Sequence, residues 1–205
     1  MTWRSISGRP YVTVTHAPVK IVMAVKGVET VVFNTRGLLN FEVKQSAPAA
    51  GESWPETFNS HTDSRPNGPM ALAFDVAFPG AAHVYGIPER ATSMSLKETK
   101  SGADGTVASE PYRLYNLDVF EYLAESPFGL YGSIPVLMAH AMSGGAAGRK
   151  TAMTSAVYFN NPSETYVDVS KKADGAHSQW MAESGAMDLF LIPGKGVTSL
   201  LSLTS

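Results

Sequence analysis

The sequence predicts an all-β protein built as a β-sandwich, and three observations carry that prediction. Apolar residues recur at every second position in several short segments, which is the period of a strand that buries one face. Glycine and proline residues that favour turns separate these segments. Helical spacing is scarce, and a chain of 205 residues is long enough for one all-β core. We therefore expect residues 1–205 to form a single domain of two packed sheets.

A β-hairpin is predicted near the amino terminus. Every second residue of Val19–Val25 is apolar on one face, and Gly27 then permits a turn into Thr30–Phe33. Tyr11–Thr15, just before this hairpin, has the composition of a further short strand. Three neighbouring strands are therefore expected in this part of the chain.

The clearest single strand is Ala71–Phe78. Its large residues Leu72, Phe74, Val76 and Phe78 alternate with small or polar ones, and Pro79 and Gly80 end it. One face of large side chains implies packing against a second sheet. Further short strands are predicted at Leu39–Val43, Met94–Lys97, Ile134–His140, Ala156–Phe159, Thr165–Val169 and Met187–Ile192.

Three segments are predicted to be loops: Gln45–Gly68, Glu98–Ser109 and Ala141–Ser155. The last two are rich in small residues and poor in apolar ones, so we expect them to be mobile. Val197–Leu203 has the apolar spacing of a short helix at the C-terminus. A helix of about two turns is marginal alone in water, so this segment suggests that more chain follows.

Composition excludes several classes of function. Charged residues make up 17% of the chain and the net charge is -2, so no basic surface is expected to bind nucleic acid. The absence of cysteine excludes disulfides, thiolate metal sites and cysteine nucleophiles. No run of about 18 apolar residues occurs, so no membrane partner is expected.

Neither a metal nor a cofactor is expected. The five histidines show no metal-ligand spacing. Gly86–Glu89 has one glycine and a proline and lacks the glycine-rich pattern of a phosphate-binding loop, so it is interpreted as a turn. The scattered tryptophans Trp3, Trp54 and Trp180 are interpreted as buried in the core or at an interface.

Two runs of residues give the most specific information in the chain. In His83–Arg90 a glycine and proline turn lies beside aromatic and charged side chains, and in Tyr112–Asp118 a carboxylate follows an aromatic, strand-like run. In the identity and the order of their residues, these runs resemble the amino-terminal region of glycoside hydrolase family 31. The resemblance continues at matching separations through Asn34–Glu42, Trp54–Phe58, His61–Pro66, Leu130–Val136, Glu164–Asp168 and Trp180–Gly185.

The resemblance implies a β-sandwich of the galactose-mutarotase-like type that precedes a catalytic TIM barrel. In the family, a loop of the sandwich reaches over the mouth of the barrel and supplies an aspartate that hydrogen-bonds substrate hydroxyls. The matching position here is Asp118. A carboxylate suits this role because it accepts two hydroxyl hydrogen bonds at once. Tyr115 and Phe120 flank Asp118 and are expected to lie against a sugar face.

The family presents its catalytic nucleophile in a Trp-x-Asp-x-Asn-Glu run, which this sequence lacks. A retaining glycosidase needs that carboxylate and a second one that acts as acid and base. We therefore expect no catalytic residue here and no hydrolysis by these residues alone. The resemblance implies the pocket-shaping N-terminal domain of a retaining α-glucosidase that trims glucose from N-linked glycans in the endoplasmic reticulum lumen. Its implied partners are the downstream barrel, the oligosaccharide and a non-catalytic subunit.

Two other functions stay open. A free-standing carbohydrate-binding module would hold a glycan on the sandwich or its loops without chemistry. An aldose epimerase of the mutarotase type would need a histidine acid and a carboxylate base, for which His83 and His140 are the candidate histidines. A hydrogen-bonded structural role is the simpler interpretation of both. For Asp118, the simpler alternative is a turn cap or an ion pair with Arg113.

Overall fold

Antiparallel strands make up almost all of the regular structure in a computed structural model of the chain. The structure describes residues 2–3, 10–42, 57–58, 61–62, 71–101, 106–144 and 150–194. Its strands are β1 (Thr2–Trp3), β2 (Tyr11–His16), β3 (Val19–Val25), β4 (Val28–Phe33), β5 (Asn40–Phe41), β6 (Thr57–Phe58), β7 (His61–Thr62), β8 (Leu72–Pro79), β9 (Ala81–Gly86), β10 (Lys100–Ser101), β11 (Thr106–Val107), β12 (Tyr112–Leu114), β13 (Val136–Gly144), β14 (Lys150–Phe159), β15 (Thr165–Lys172), β16 (Gly175–Ala182) and β17 (Leu189–Gly194).

Two sheets dominate the fold. The larger runs in the order β1-β2-β3-β4-β8-β16-β15-β12, with β5 also paired to β8, and the smaller runs β17-β14-β13-β9. The short pairs β6-β7 and β10-β11 lie outside both sheets. Buried apolar residues from both sheets form one core, so the sheets pack face to face. The predicted all-β sandwich is confirmed.

The hairpin of β3 and β4 forms where the apolar alternation predicts it. Lys26 and Gly27 make its two-residue turn with φ angles of 52° and 81°. Both values lie in the left-handed region that a tight hairpin turn of this type requires. The register shifts between Met23 and Ala24, because Thr30 of β4 is an extra residue without a register partner, as in a β-bulge.

Three aromatic rings hold the two sheets together at the centre of the core. Phe74 of β8 and Trp180 of β16 are register partners, and their rings stack with centroids 5.8 Å apart. Phe159 comes from the smaller sheet and meets both rings edge-on, at 5.0 Å and 6.1 Å. All three side chains are fully buried, and aromatic pairs add about 0.5–1.5 kcal/mol each beyond their buried area. The interpretation of Trp180 as a core residue is confirmed.

The prediction of a mobile loop over Ala141–Ser155 is wrong. β13 continues to Gly144 and β14 begins at Lys150, and the two strands pair without a break over this length. Residues 145–149 of the segment lie outside the described part of the chain. The strand signal is hidden because the side chains are small, but the backbone groups of both strands still pair.

Several other strand predictions need correction. Met94–Lys97 is irregular: Leu96 is buried and its N–H donates to the Val84 carbonyl, but Met94 is exposed and no ladder forms. The predicted loop Glu98–Ser109 contains the short pair β10-β11. β9 and β16 were not predicted as strands, because their small and polar residues blur the period of two.

The remaining strand predictions are confirmed with shifted ends. β2 and β15 extend beyond the predicted bounds, and β13 starts at Val136 rather than Ile134. The predicted strand Leu39–Val43 is limited to β5. Most of the predicted loop Gln45–Gly68 and the predicted helix Val197–Leu203 lie outside the described residues.

Candidate functional site

The turn Gly86–Glu89 leads from the end of β9 into a long irregular segment. Gly86 has φ 115°, and a Cβ at this position would lie 2.3 Å from the carbonyl oxygen of Val136. Ile87 follows with φ 42°, is fully buried, and donates its N–H to the same oxygen at 2.8 Å. Residues 87–90 are irregular, and no helix follows in the described residues up to 101. The close approach of Gly86 and Ile87 to β13 therefore fixes the position of the residues that follow them.

Arg90 ties this turn to two other parts of the chain. Its guanidinium donates to the carbonyl oxygens of Ile87 at 3.1 Å, Pro127 at 3.2 Å and Arg113. It also lies over the ring of Tyr112, 5.0 Å from the centroid. Burial lowers the pKa of Arg90 to about 10, which leaves it charged at neutral pH. One cation therefore joins the turn, β12 and the segment that contains Pro127.

Residues 115–135, which we name the aromatic loop, contain no regular strand or helix but are held by backbone hydrogen bonds. The N–H of Leu117 donates to the Leu130 carbonyl at 2.8 Å, and the N–H of Leu130 donates to the Glu89 carbonyl at 3.0 Å. The hydroxyl of Tyr131 donates to the Val119 carbonyl at 2.6 Å. These bonds give a loop without secondary structure a defined path.

The aromatic loop presents apolar side chains to solvent. The exposed large residues are Tyr115, Phe120, Tyr122, Leu123, Phe128, Tyr131 and Ile134. Tyr122 and Tyr131 contact each other edge-on, with centroids 6.5 Å apart. Several exposed apolar side chains on one ordered loop are typical of an interaction surface.

All three predicted sugar-contacting residues lie in this loop and are exposed. Asp118 makes no hydrogen bond or ion pair with the described residues. The alternative ion pair with Arg113 is not formed, because Arg113 pairs with Glu164. Phe120 is fully exposed, whereas Tyr115 is half-exposed and lies 4.4 Å from the Arg113 guanidinium. The three residues therefore lie within six positions of one another on the aromatic loop.

A polar cleft lies beside Tyr115, between the end of β12 and the residues that precede β15. We name it the β12 cleft; its volume is about 510 Å³ and its polar lining includes Tyr115, Asn116, Ser133, Asn161, Ser163 and Glu164. Asp118 and Phe120 do not line it. Sequence reasoning missed Glu164 and Ser133 because their approach to Tyr115 depends on tertiary structure.

Glu164 is the most constrained charged group of the cleft. Its Oε1 accepts hydrogen bonds from Nε of Arg113 and from the hydroxyl of Tyr166, the latter at 2.6 Å, and its side chain is only 13% exposed. The hydrogen bond from Arg113 holds the pKa of Glu164 below its ordinary value of 4.5. The same carboxylate raises the pKa of Tyr166. Glu164 is therefore ionised and fixed in place at neutral pH.

His83 and His140 are brought together as directly opposed register partners on β9 and β13. The Nδ1 atom of His83 is 2.8 Å from the Ser95 hydroxyl, and that of His140 is 3.0 Å from the Thr154 hydroxyl. Among the described residues, no carboxylate bonds to either ring. The structural interpretation of both histidines agrees with these contacts, and the carboxylate base of a mutarotase has no counterpart in them.

In the described ranges, no three acidic or histidine side chains cluster closely enough to hold a metal ion. Over the same ranges, none of the structure is a helix with the length and hydropathy needed to cross a membrane.

Comparison with known proteins links this architecture to a family. Residues 2–168 match the Glycosyl hydrolase 31 N-terminal galactose mutarotase-like domain. A probable glucan 1,3-alpha-glucosidase from Oryza sativa subsp. japonica is 44% identical over 195 residues, which are 89% of this chain and 20% of that protein. The chain therefore spans only 20% of the length of this curated relative.

Solved structures give the same result. The catalytic subunit in a crystal structure of the ER glucosidase II heterodimeric complex, with the binding domain of its regulatory subunit, matches with a TM-score of 0.77. It is 31% identical, over 98% of this chain and 24% of that chain. A glucosidase II alpha subunit bound to alpha3-Glc2 matches with a TM-score of 0.72 at 35% identity, over 91% and 21% of the two chains. This chain belongs to glycoside hydrolase family 31, as its N-terminal galactose mutarotase-like domain.

Proposed function

We propose that residues 1–205 are the single N-terminal domain of a retaining α-glucosidase of the glucosidase II type, without catalytic activity of their own. In this proposal the aromatic loop packs against the catalytic barrel and forms part of its substrate pocket. The observation that carries it is the state of Asp118, an exposed carboxylate without a partner among the described residues, on a loop of exposed aromatic side chains. A carboxylate of this kind is available to a ligand.

The proposed role of each residue follows from its chemistry. Asp118 accepts hydrogen bonds from two sugar hydroxyls, and a hydrogen bond to a charged group contributes about 1.5–3 kcal/mol. Tyr115 and Phe120 offer ring faces for the C–H surface of a sugar. Two hydrogen bonds support this role, because they hold the loop before the ligand arrives: the Gly132 N–H donates to the Glu89 carboxylate, and Arg90 donates to the Pro127 carbonyl. Bond cleavage itself needs two carboxylates, which the barrel would supply.

We extend the proposal to the whole protein. Its substrate would be the glucose-capped end of an N-linked glycan, its compartment the endoplasmic reticulum lumen, and its partner a non-catalytic subunit. The support is similarity to the catalytic subunit in the ER glucosidase II complex and to an alpha subunit bound to alpha3-Glc2. The exposed apolar side chains of the aromatic loop outside the β12 cleft, such as Tyr122, Leu123 and Phe128, would be buried against the barrel.

The test compares two purified proteins: the 205-residue chain and the full product of the reading frame that encodes it. We expect the short chain to release no nitrophenol from p-nitrophenyl α-glucoside and the full product to release it. Hydrolysis by the short chain would contradict the proposal. A reading frame without a barrel would also contradict it and would favour a free-standing carbohydrate-binding module.

A further inference from the structure

We propose that the β12 cleft is a binding site for one neutral sugar unit, lined by this chain alone. It shares Tyr115 with the site proposed above but does not include the Asp118 carboxylate. Asp118 does not line the cleft, so the site does not depend on it. The choice of sugar rests on the function proposed above, whereas the site rests on the geometry of the cleft. Its occupant is an uncharged, polyhydroxylated ring.

The first support is the free oxygen of Glu164. Both donors of this carboxylate, Arg113 and Tyr166, bond to Oε1. Oε2 accepts no hydrogen bond from the described residues, although the side chain lines the cleft and is mostly buried. Two donors that fix one oxygen orient the other, so Oε2 is a pre-positioned acceptor for a ligand hydroxyl.

The second support is the set of neutral groups around that oxygen. The side chains of Asn116 and Ser133 line the cleft and make no hydrogen bond with the described residues. An amide and a hydroxyl can each donate and accept, which matches the adjacent hydroxyls of a sugar. The cleft therefore offers several unused polar groups next to one aromatic wall.

The third support is the rigidity of that wall. The Arg113 guanidinium lies 4.4 Å from the centre of the Tyr115 ring while it also pairs with Glu164. One side chain thus fixes both the aromatic ring and the carboxylate. A ring held in this way offers apolar contact to a sugar at little cost in conformational entropy.

Charge and size decide the class of ligand. The negative charge of Glu164 is compensated by Arg113, so a cation gains little there, and an anionic sugar would meet the unpaired oxygen of a carboxylate. A volume of about 510 Å³ lies within the roughly 300–1,000 Å³ of small-molecule sites. These features favour a neutral sugar over either charged class.

The experiment is a titration of the ¹⁵N-labelled 205-residue chain, with NMR detection, using nigerose, the α-1,3-linked glucose disaccharide. We expect saturable shifts at Asn116, Ser133 and Glu164, with a dissociation constant on the order of 1 mM. Glucuronate, at the same concentration, should give no saturable shift. Glu164→Gln should weaken nigerose binding about ten-fold or more, because it loses a charge-assisted bond.

Two variants keep the test valid if Glu164→Gln unfolds the end of β12. Asn116→Ala and Ser133→Ala change side chains without described partners, so they should fold and still weaken binding. Glu121→Gln, an exposed carboxylate of the aromatic loop outside the cleft, is the control and should bind normally.

The Tris cation is titrated in the same way as a probe for cation binding. Three results would overturn the proposal: no saturable shift with nigerose, nigerose binding that the cleft variants leave unchanged, or tighter binding of the Tris cation than of nigerose. Failure of this site is distinguishable from failure of the proposed function. Binding is measured on the 205-residue chain without a barrel, whereas the proposed function is measured as hydrolysis by the full product.

Discussion

Glu89 and Gly132 form a reciprocal pair that fixes the aromatic loop to the turn after β9. The N–H of Glu89 donates to the Gly132 carbonyl at 2.7 Å, and the N–H of Gly132 donates to Oε2 of Glu89 at 2.9 Å. The Glu89 carbonyl also accepts the N–H of Leu130. Glu89 alone therefore makes three hydrogen bonds that position the loop carrying Asp118.

Glu89→Ala removes the side-chain half of this pair and leaves the backbone half. We expect the free energy of unfolding to fall by about 1 kcal/mol, since the bond is exposed, and the Gly132 amide to exchange faster with solvent. Hydrogen exchange detected by NMR measures both. Glu121→Ala removes an exposed carboxylate of the same loop that has no described partner, and should leave the Gly132 amide unchanged. Equal effects of the two variants would show that the pair does not hold the loop.

Arg90→Met should destabilise the protein more strongly. It removes the donor shared by the Ile87, Pro127 and Arg113 carbonyls, and we expect a loss of about 2–3 kcal/mol in urea unfolding. The aliphatic part of the side chain is retained, so the loss is not one of packing. Arg36→Met replaces an exposed arginine whose side chain makes no described contact, and it should cost little. A small effect at Arg90 would mean that the three carbonyls find other donors.

Gly86→Ala tests the close contact between the turn and β13. The added methyl would lie 2.3 Å from the Val136 carbonyl oxygen, with φ at 115°, so we expect a loss of about 3 kcal/mol or more. Gly27 also has a positive φ, 81°, but a Cβ there meets no atom within 4 Å. Gly27→Ala should therefore cost only the backbone strain, about 1 kcal/mol. Thermal unfolding of both variants measures the difference, and equal losses would contradict the contact.

Much of the fold could be predicted because large residues mark its central strand. In β8 the alternation of Leu72, Phe74, Val76 and Phe78 identifies a strand and its buried face without further information. Its neighbour β16 has the same role in the core, but Ala176 and Ser178 occupy inward positions next to Trp180. Small residues fit at these positions because neighbouring aromatic rings fill the space. A single sequence does not show which small residues lie next to such rings.

The site divides in the same way. Asp118 could be selected from its position in a recognisable run, together with its aromatic neighbours Tyr115 and Phe120. Glu164 could not, because its partner Arg113 is 51 residues away and meets it only through the pairing of β12 with β15. The sequence alone left Arg113 as a possible partner of Asp118. Sheet register decides that choice, and register depends on the whole larger sheet.

The Glu164–Arg113 pair should make stability depend on pH. Arg113 lowers the pKa of Glu164 in the folded state below its ordinary value of 4.5, so folding is favoured above that value. This contribution is lost as the pH falls through the folded-state pKa. We expect the difference in unfolding free energy between the native chain and Glu164→Gln to be full at pH 7 and to shrink below about pH 4.5. Urea unfolding across this range measures it, and a constant difference would exclude a role for ionisation.

Asp118→Ala in the full product of the reading frame tests the proposed contact with substrate. We expect kcat/KM for a glucose-capped oligosaccharide to fall about ten-fold or more, because a charge-assisted hydrogen bond is lost. Asp118→Asn keeps one oxygen acceptor without the charge, so its activity should lie between that of the native protein and that of Asp118→Ala. Asp118 is exposed and makes no described bond, so neither change should alter the unfolding free energy. Glu121→Ala controls for loss of a loop carboxylate, and normal kinetics in a folded Asp118→Ala protein would remove Asp118 from the site.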